Sequence, residues 1–297
     1  MKDKILVSII IPTYQNSLNL IDIPLESIYK QTCSKNLYEV IISNNYWAKG
    51  FLLKKKIQKF KINTKFIEVY GKPPQVCNQV NVGAKAAKGK YILILDHDVE
   101  LSSKLIESFS NLEKKFSEID SWYMPYKVVA KGMLNKIRNF EEKFYQHSVV
   151  AVPRIIKKSI FFKTERQYDP ILSGGPADWD ITNQLIEASA IFKYIDEYAY
   201  HHEERLGFWG FITKKRIYTE GLELYKRKWA KKNRKIYNQI VKKQFSPFYR
   251  LVGIFIEDGK WKKTFKSFPI YILFLIMKIL VAGNFWINKN FNNNYAK

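Results

Sequence analysis

Cysteine is almost absent from the 297-residue chain: only Cys33 and Cys77 occur, far apart. That excludes a disulfide framework and a cysteine-based zinc site, and a reducing, cytoplasmic compartment is expected. Glycine (13) and proline (10) are also sparse, too few for long disordered linkers. Apart from the Asn-rich tail there is no low-complexity tract or internal repeat. The N-terminal apolar run is short, ends at Pro12 and lacks a small-residue cleavage site, so it reads as a buried strand and not a signal peptide. Acidic side chains are in deficit, 27 against 50 basic, for a net charge of +23. Such an excess points to an anionic partner, or to a Lys- and Asn-rich compositional bias. With 46% hydrophobic residues, the chain can bury one large core with an appendage.

What is present alternates. Apolar runs at 5–11, 38–43, 65–70 and 91–96 have strand length, and helical patterns at 18–31, 51–61 and 75–89 separate them. This pitch predicts a parallel sheet covered by helices, and the continuous apolar strands fit burial on both faces. Beyond residue 120 the pattern is mixed: strands at 122–130 and 149–154, a helix near 134–146, and a Gly-Pro loop leading into a helix within 168–188. Residues 191–204 read as strand then loop, and 207–243 as basic helix.

In open α/β sheets ligands gather beyond the carboxyl ends of the strands. There the loops PTYQN (12–16), SNNYW (43–47) and DHDVE (96–100) share one crevice. Asp96 and Asp98 close the fourth strand, and alternation along extended chain points both carboxylates one way. Hard oxygen donors suit Mg²⁺ or Mn²⁺, held together with substrate phosphates. His97 between them is expected to point away. A second cluster, GGPADWDITNQL, places Asp178 and Asp180 at a helix start. One helix cap accounts for one aspartate, and a second carboxylate beside a Gly-Gly-Pro loop can serve as a general base. In a third, YHHEER, His201 or His202 offers a nitrogen ligand to the same cation, His202 being preferred.

Taken together, VSIIIPTYQN, NVGAKAAKGKYILILDHDVE and ADWDITNQL resemble the family 2 glycosyltransferases over about residues 5–225. The resemblance implies the GT-A fold: a Rossmann-like mixed α/β sheet with helices on both faces, here followed by amphipathic and apolar C-terminal helices. It implies an inverting transferase in which Pro12, Thr13 and Tyr14 cradle the nucleotide, with Ser43 and Asn44 and, ahead of the metal strand, Asn81 as further nucleotide contacts. Asp96 and Asp98 would bind Mn²⁺ or Mg²⁺ and the diphosphate, a later histidine would complete the metal site, and Asp178 would be the base. The donor implied is a UDP- or GDP-linked sugar. Two positions depart from the family pattern. Ala177 replaces a glutamate, and Ser43-Asn44-Asn45 stands where an aspartate reads the nucleobase.

These readings divide the chain into a transferase domain, 1–225, and a basic and apolar helical region, 226–297. Residues 265–287 approach the length of a membrane span, but Lys278 sits near the centre, where hydrocarbon penalises a charge. A helix lying on an anionic leaflet accommodates both features. The expectation is therefore a peripheral protein on the inner face of the cell membrane, acting on a lipid-linked or glycan acceptor. Two other classes fit less well. A sugar-nucleotide pyrophosphorylase needs a glycine-rich phosphate loop, and IIPTYQNSLNL has no glycine. Nucleic-acid binding is not expected: no motif for it is present, and the acidic clusters would repel phosphate in the absence of a metal.

Overall fold

The computed structural model describes residues 5–46, 49–71, 76–172, 174–214 and 221–294. Trp47, and the segment 215–220 with Lys215 and Arg216, lie outside the described residues.

The β-branched run near the N-terminus forms β1 (Val7–Thr13), buried along its length. After α1 (Asp22–Tyr29), β2 (Tyr38–Asn45) lies parallel to β1. Next come α2 (Gly50–Ile57), β3 (Thr64–Val69), α3 (Val76–Ala86) and β4 (Tyr91–Ile94). β3 extends the sheet beyond β2, and β4 pairs with β1 on its other edge, all parallel. Continuous apolar sequence is what strands covered on both faces require. Helix α3 lies so close that a Cβ on Gly83 would stand 2.6 Å from Ile10 Cγ2 and 2.9 Å from Ser43 Oγ. Glycine is needed there for the approach itself.

The second part of the sheet departs from simple alternation. β5 (Val99–Leu101) and α4 (Leu105–Lys115) follow β4. The expected strand at 122–130 is two strands, β6 (Ser121–Tyr123) and β7 (Tyr126–Val129), divided at Met124-Pro125. A proline cannot donate to the ladder, which breaks the run. After α5 (Gly132–Tyr145), β8 covers Pro153–Lys157 and not the expected 149–154. β8 runs antiparallel between β4 and β6, and its register puts Ile155 opposite Leu93. Its first residues therefore arrive at the rim where β4 ends. Then come α6 (Lys158–Lys163), α7 (Gly175–Glu187), β9 (Phe192–Tyr194) and β10 (Ala199–His202). The large sheet has the order β3-β2-β1-β4-β8-β6-β9, and β5, β10 and β7 form a small second sheet. The mixed seven-stranded sheet with helices agrees with the expected fold class.

The chain divides into two compact units. The first comprises residues 1–127 and 152–202, the second residues 128–151 and 203–297. The compositional boundary at 225 falls inside the second unit. The core of the first unit stacks Tyr91, Phe109 and Trp122 edge to face beneath the aliphatic strands.

In the second unit, α5 carries Arg138 and Glu141, both buried. Arg138 binds Glu141, Glu142 (3.1 Å) and Glu203 (3.0 Å). α8 (Phe208–Lys214) and α9 (Leu222–Lys232) follow, and the chain ends in a long helix, Phe268–Asn294. Lys278 of that helix turns inward and pairs with Glu141. Among the described residues no helix is long and apolar enough to cross a membrane.

Candidate functional site

The carboxyl ends of β1 and β2 meet in register, Pro12 opposite Ser43 and Thr13 opposite Asn44. Gln79 of α3 fastens them, its Nε2 donating to the carbonyls of Thr13 (2.7 Å) and Ser43 (2.6 Å). Thr13 Oγ1 donates to Asn44 Oδ1 at 2.9 Å. This fixes the amide so that Nδ2 of the fully buried Asn44 meets no acceptor, and the buried Ser43 Oγ likewise has no partner among the described residues. Buried polar atoms without partners are rare in folded proteins, and a ligand group is one way to satisfy them. Tyr14 is 41% exposed and packs edge-on against His97 at 4.7 Å. His97 is buried.

β4 ends at Ile94, so Asp96 and Asp98 lie in a turn and not in extended strand. Val99 N donates to Asp96 O at 3.1 Å, the closure of a tight turn. The strand alternation expected of the two carboxylates does not apply; the turn sets their directions. The Asp96 side chain is 40% exposed and that of Asp98 16%. His201 Nε2 stands 3.5 Å from Asp98 Oδ2. His202 Nε2 is instead 2.8 Å from Glu100 Oε2, while its backbone N–H donates to Asp98 O. The imidazole of His201 thus stands beside the Asp98 carboxylate, and His202 adjoins the same turn through its backbone N–H.

The donor set is two carboxylates and an imidazole, chemistry that suits Mn²⁺ or Mg²⁺. Among the described residues no three such side chains are gathered closely enough to hold an ion alone.

Helix α7 supplies the third element. Its N-cap position is Gly174, at φ +57, and no side chain caps it. Neither Asp178 nor Asp180 is consumed as a cap. Asp180 is fully buried and accepts from Gln184 Nε2 at 2.7 Å. Asp178 lies one turn into the helix with its side chain 24% exposed. Three donors reach it: Arg154 Nη1 to Oδ1 (3.4 Å), Arg154 Nη2 to Oδ2 (3.3 Å), and the Tyr168 hydroxyl to Oδ1 (3.1 Å). Burial pushes the Asp178 pKa up, and Arg154 opposes that shift. A carboxylate has about four lone-pair sites. With three donors bound, one remains at Oδ2.

Arg154 and Tyr168 were not singled out in the sequence. Arg154 Nη2 also lies 3.7 Å from Asp96 Oδ2, so one guanidinium faces both Asp178 and the Asp96 turn. The available signal was an arginine opening the apolar strand PRIIK, a position where a charge needs a partner. Tyr168 carried no such mark. The side-chain amide of Asn81, an expected nucleotide contact, is bonded to the Tyr168 backbone at 2.8 and 3.1 Å.

Residues 8–161 match the model of glycosyl transferase family 2. A Methanocaldococcus jannaschii protein described as an uncharacterized glycosyltransferase, MJ1057, is 26% identical over 239 residues, spanning 73% of this chain and 78% of its own. The mannosyltransferase PcManGT from Pyrobaculum calidifontis, solved with GDP-Man and Mn²⁺, superposes with a TM-score of 0.64 at 12% identity, covering 95% of this chain and 87% of that one. S. aureus TarS 1–349 with UDP-GlcNAc gives 0.59 at 19% identity, covering 93% and 82%. The chain spans 54% of the longer TarS chain. These likenesses carry the fold, and the family match extends over just over half of the chain. A mixed sheet with acidic residues gathered at its rim thus joins a direct sequence match: the chain belongs to glycosyl transferase family 2 and is a glycosyltransferase of the GT-A fold.

Proposed function

We propose that the protein moves a sugar from a UDP- or GDP-linked donor to an acceptor hydroxyl with inversion at the anomeric carbon. The observation that carries this reading is the shared guanidinium of Arg154, which sets Asp96 within one side chain's reach of Asp178. A leaving diphosphate at the first carboxylate and an attacking hydroxyl at the second would then stand on opposite sides of one sugar carbon.

Pro12, Thr13, Tyr14, Ser43 and Asn44 line the strand ends where the nucleoside would lie. Tyr14 offers an exposed ring, and Asn44 Nδ2 offers a buried donor to a base carbonyl. Asp96 and Asp98, with His201 beside Asp98, would hold Mn²⁺ or Mg²⁺; His202 adjoins them through its backbone. A bound divalent ion supplies positive charge against which the diphosphate departs. Asp178 takes the acceptor proton on the open lone pair of Oδ2 as the new C–O bond forms and the C–O bond to phosphate breaks.

A feature of the second unit supports the acceptor class proposed. Phe268, Ile272, Ile276 and Ile279 form one exposed apolar stripe on the terminal helix, with exposed Lys262, Lys263 and Lys266 just before it. An apolar stripe with a lysine rim suits an anionic leaflet, and a lipid-linked or glycan acceptor at that surface is the substrate proposed. Structures of this fold hold UDP-GlcNAc and GDP-Man, which makes these two the first donors to try. A thermal-shift screen of nucleotide sugars with Mn²⁺ tests the reading, because a ligand of the native state raises the melting temperature. No shift with any UDP or GDP sugar would remove it.

A further inference from the structure

We infer that Arg154 is a positioning residue for the transfer reaction: its bidentate grip aims the Asp178 carboxylate and leaves one oxygen lone pair open for the acceptor's proton. The inference rests on reading Asp178 as the base.

The first argument is geometric. Arg154 enters on β8, the antiparallel strand beside β4, whose register places its first residues at the rim where β4 delivers Asp96. The guanidinium side chain is 13% exposed. Its two terminal nitrogens reach the two oxygens of Asp178 at 3.4 and 3.3 Å, a fork-to-fork arrangement that fixes the carboxylate plane. The Tyr168 hydroxyl adds a third bond on Oδ1. Both groups crowd Oδ1, and Oδ2 keeps a single donor.

The second argument is electrostatic. Asp178 is largely buried and stands near the negative Asp96, so two carboxylates share one cationic partner. A buried carboxylate without a counter-charge takes up a proton and ceases to be a base. Arg154 supplies that charge. Its Nε is buried with no acceptor among the described residues, so the side chain is seated by its fork alone. Lysine offers a point charge in place of the fork and cannot reproduce the arrangement.

The test compares wild type with R154M, R154K, D178N and R154M/D178N. The probes are UDP-GlcNAc and GDP-Man with Mn²⁺, scored by release of nucleoside diphosphate, together with melting temperatures of the donor-free proteins. R154M is expected to lower kcat about 100-fold, as misplacing a reacting group does, with little change in donor KM. R154K should recover part of the loss at most. In the D178N background R154M should cost nothing more. The melting temperatures should be non-additive in the same sense, the double variant losing less than the two single losses combined. Wild-type kcat in R154M, full recovery in R154K, or losses that multiply in the double variant would each overturn the inference. Should neither sugar nucleotide be turned over, the melting cycle decides: additivity overturns it and non-additivity supports it. Wild-type turnover in D178N would instead remove the underlying reading of the base.

Discussion

Asn81 and Tyr168 are joined by a closed pair of hydrogen bonds. Asn81 Nδ2 donates to Tyr168 O at 2.8 Å, and Tyr168 N donates to Asn81 Oδ1 at 3.1 Å. The side chain of α3 thereby mimics a strand partner for a loop residue 87 positions away. Because the Tyr168 hydroxyl continues to Asp178, the position of the proposed base is set partly from α3. Asn81→Ala should leave a backbone N–H and a carbonyl without their partner, at a cost of about 1–3 kcal/mol in urea unfolding. It should also lower kcat more than donor KM. A donor-binding loss with unchanged turnover would return Asn81 to the nucleotide contacts expected from the sequence.

As the proposed base, Asp178 should set the acid limb of the pH profile. Burial raises its pKa above the usual carboxylate range, against the opposing pull of Arg154, while Asp96 adds to the rise. A base works ionised, so activity is lost as pH falls through this raised pKa, at a pH higher than an ordinary aspartate near about 4 would give. Asp178→Asn should cut kcat by about 10²–10⁴, keep donor affinity, and abolish that limb. A kcat–pH curve for the wild type and the variant checks all three together.

The sheet was legible because its strands are apolar throughout, and strand-length runs between helical patterns leave little ambiguity. The errors have local causes. Pro125 splits an apolar run into β6 and β7, and Val149 to Val152 look like strand but precede β8. Asp96, Asp98 and Asp178 stand out in the sequence because carboxylates at strand and helix ends have no packing reason to be there. Arg154 was not, because its partners come from β4 and α7, which no local pattern connects. The pair of histidines could not be ordered by sequence: the register of β10 against β5, His201 opposite Val99, sets the His202 backbone against Asp98, while the His201 ring stands 3.5 Å from the Asp98 carboxylate.

Removing Asp98 probes the cation. Asp98→Asn keeps the shape of the turn and takes away one hard oxygen charge, so sugar-nucleotide binding measured by titration should weaken about tenfold or more and lose its response to Mn²⁺. Chelation of the wild type should reproduce the variant. Full binding in the presence of chelator would exclude the metal role of this turn.

The terminal helix predicts a surface interaction. The lysines before it should draw the protein to vesicles containing anionic lipid and not to purely zwitterionic ones, in proportion to falling salt. Ile276→Asp with Ile279→Asp places charges in the apolar stripe, where both residues are exposed, and should abolish co-sedimentation without altering the melting temperature. Equal sedimentation of the two proteins would dismiss the membrane as the occupant of this face. Self-association of the wild type, lost in the variant, would assign the face to a second copy.

Lys278 looked costly as a mid-helix charge in an apolar segment, and its partner explains it. The ammonium meets Glu141, which is 2% exposed and also engages Arg138 and the Tyr145 hydroxyl. Burial lowers the Lys278 pKa while Glu141 works against the shift. The two partners should therefore respond unequally to substitution. Glu141→Gln strips the shared counter-charge from two cations and should cost about 3–5 kcal/mol, the scale of a broken buried pair. Lys278→Met leaves Glu141 its arginine and tyrosine donors and puts a pliable apolar chain against Phe274, so the loss should be about 1–2 kcal/mol. Chemical denaturation of both variants measures the difference. If Lys278→Met proved the more damaging, the ion pair rather than the aromatic packing of Phe140, Phe255 and Phe274 would hold the terminal helix in place.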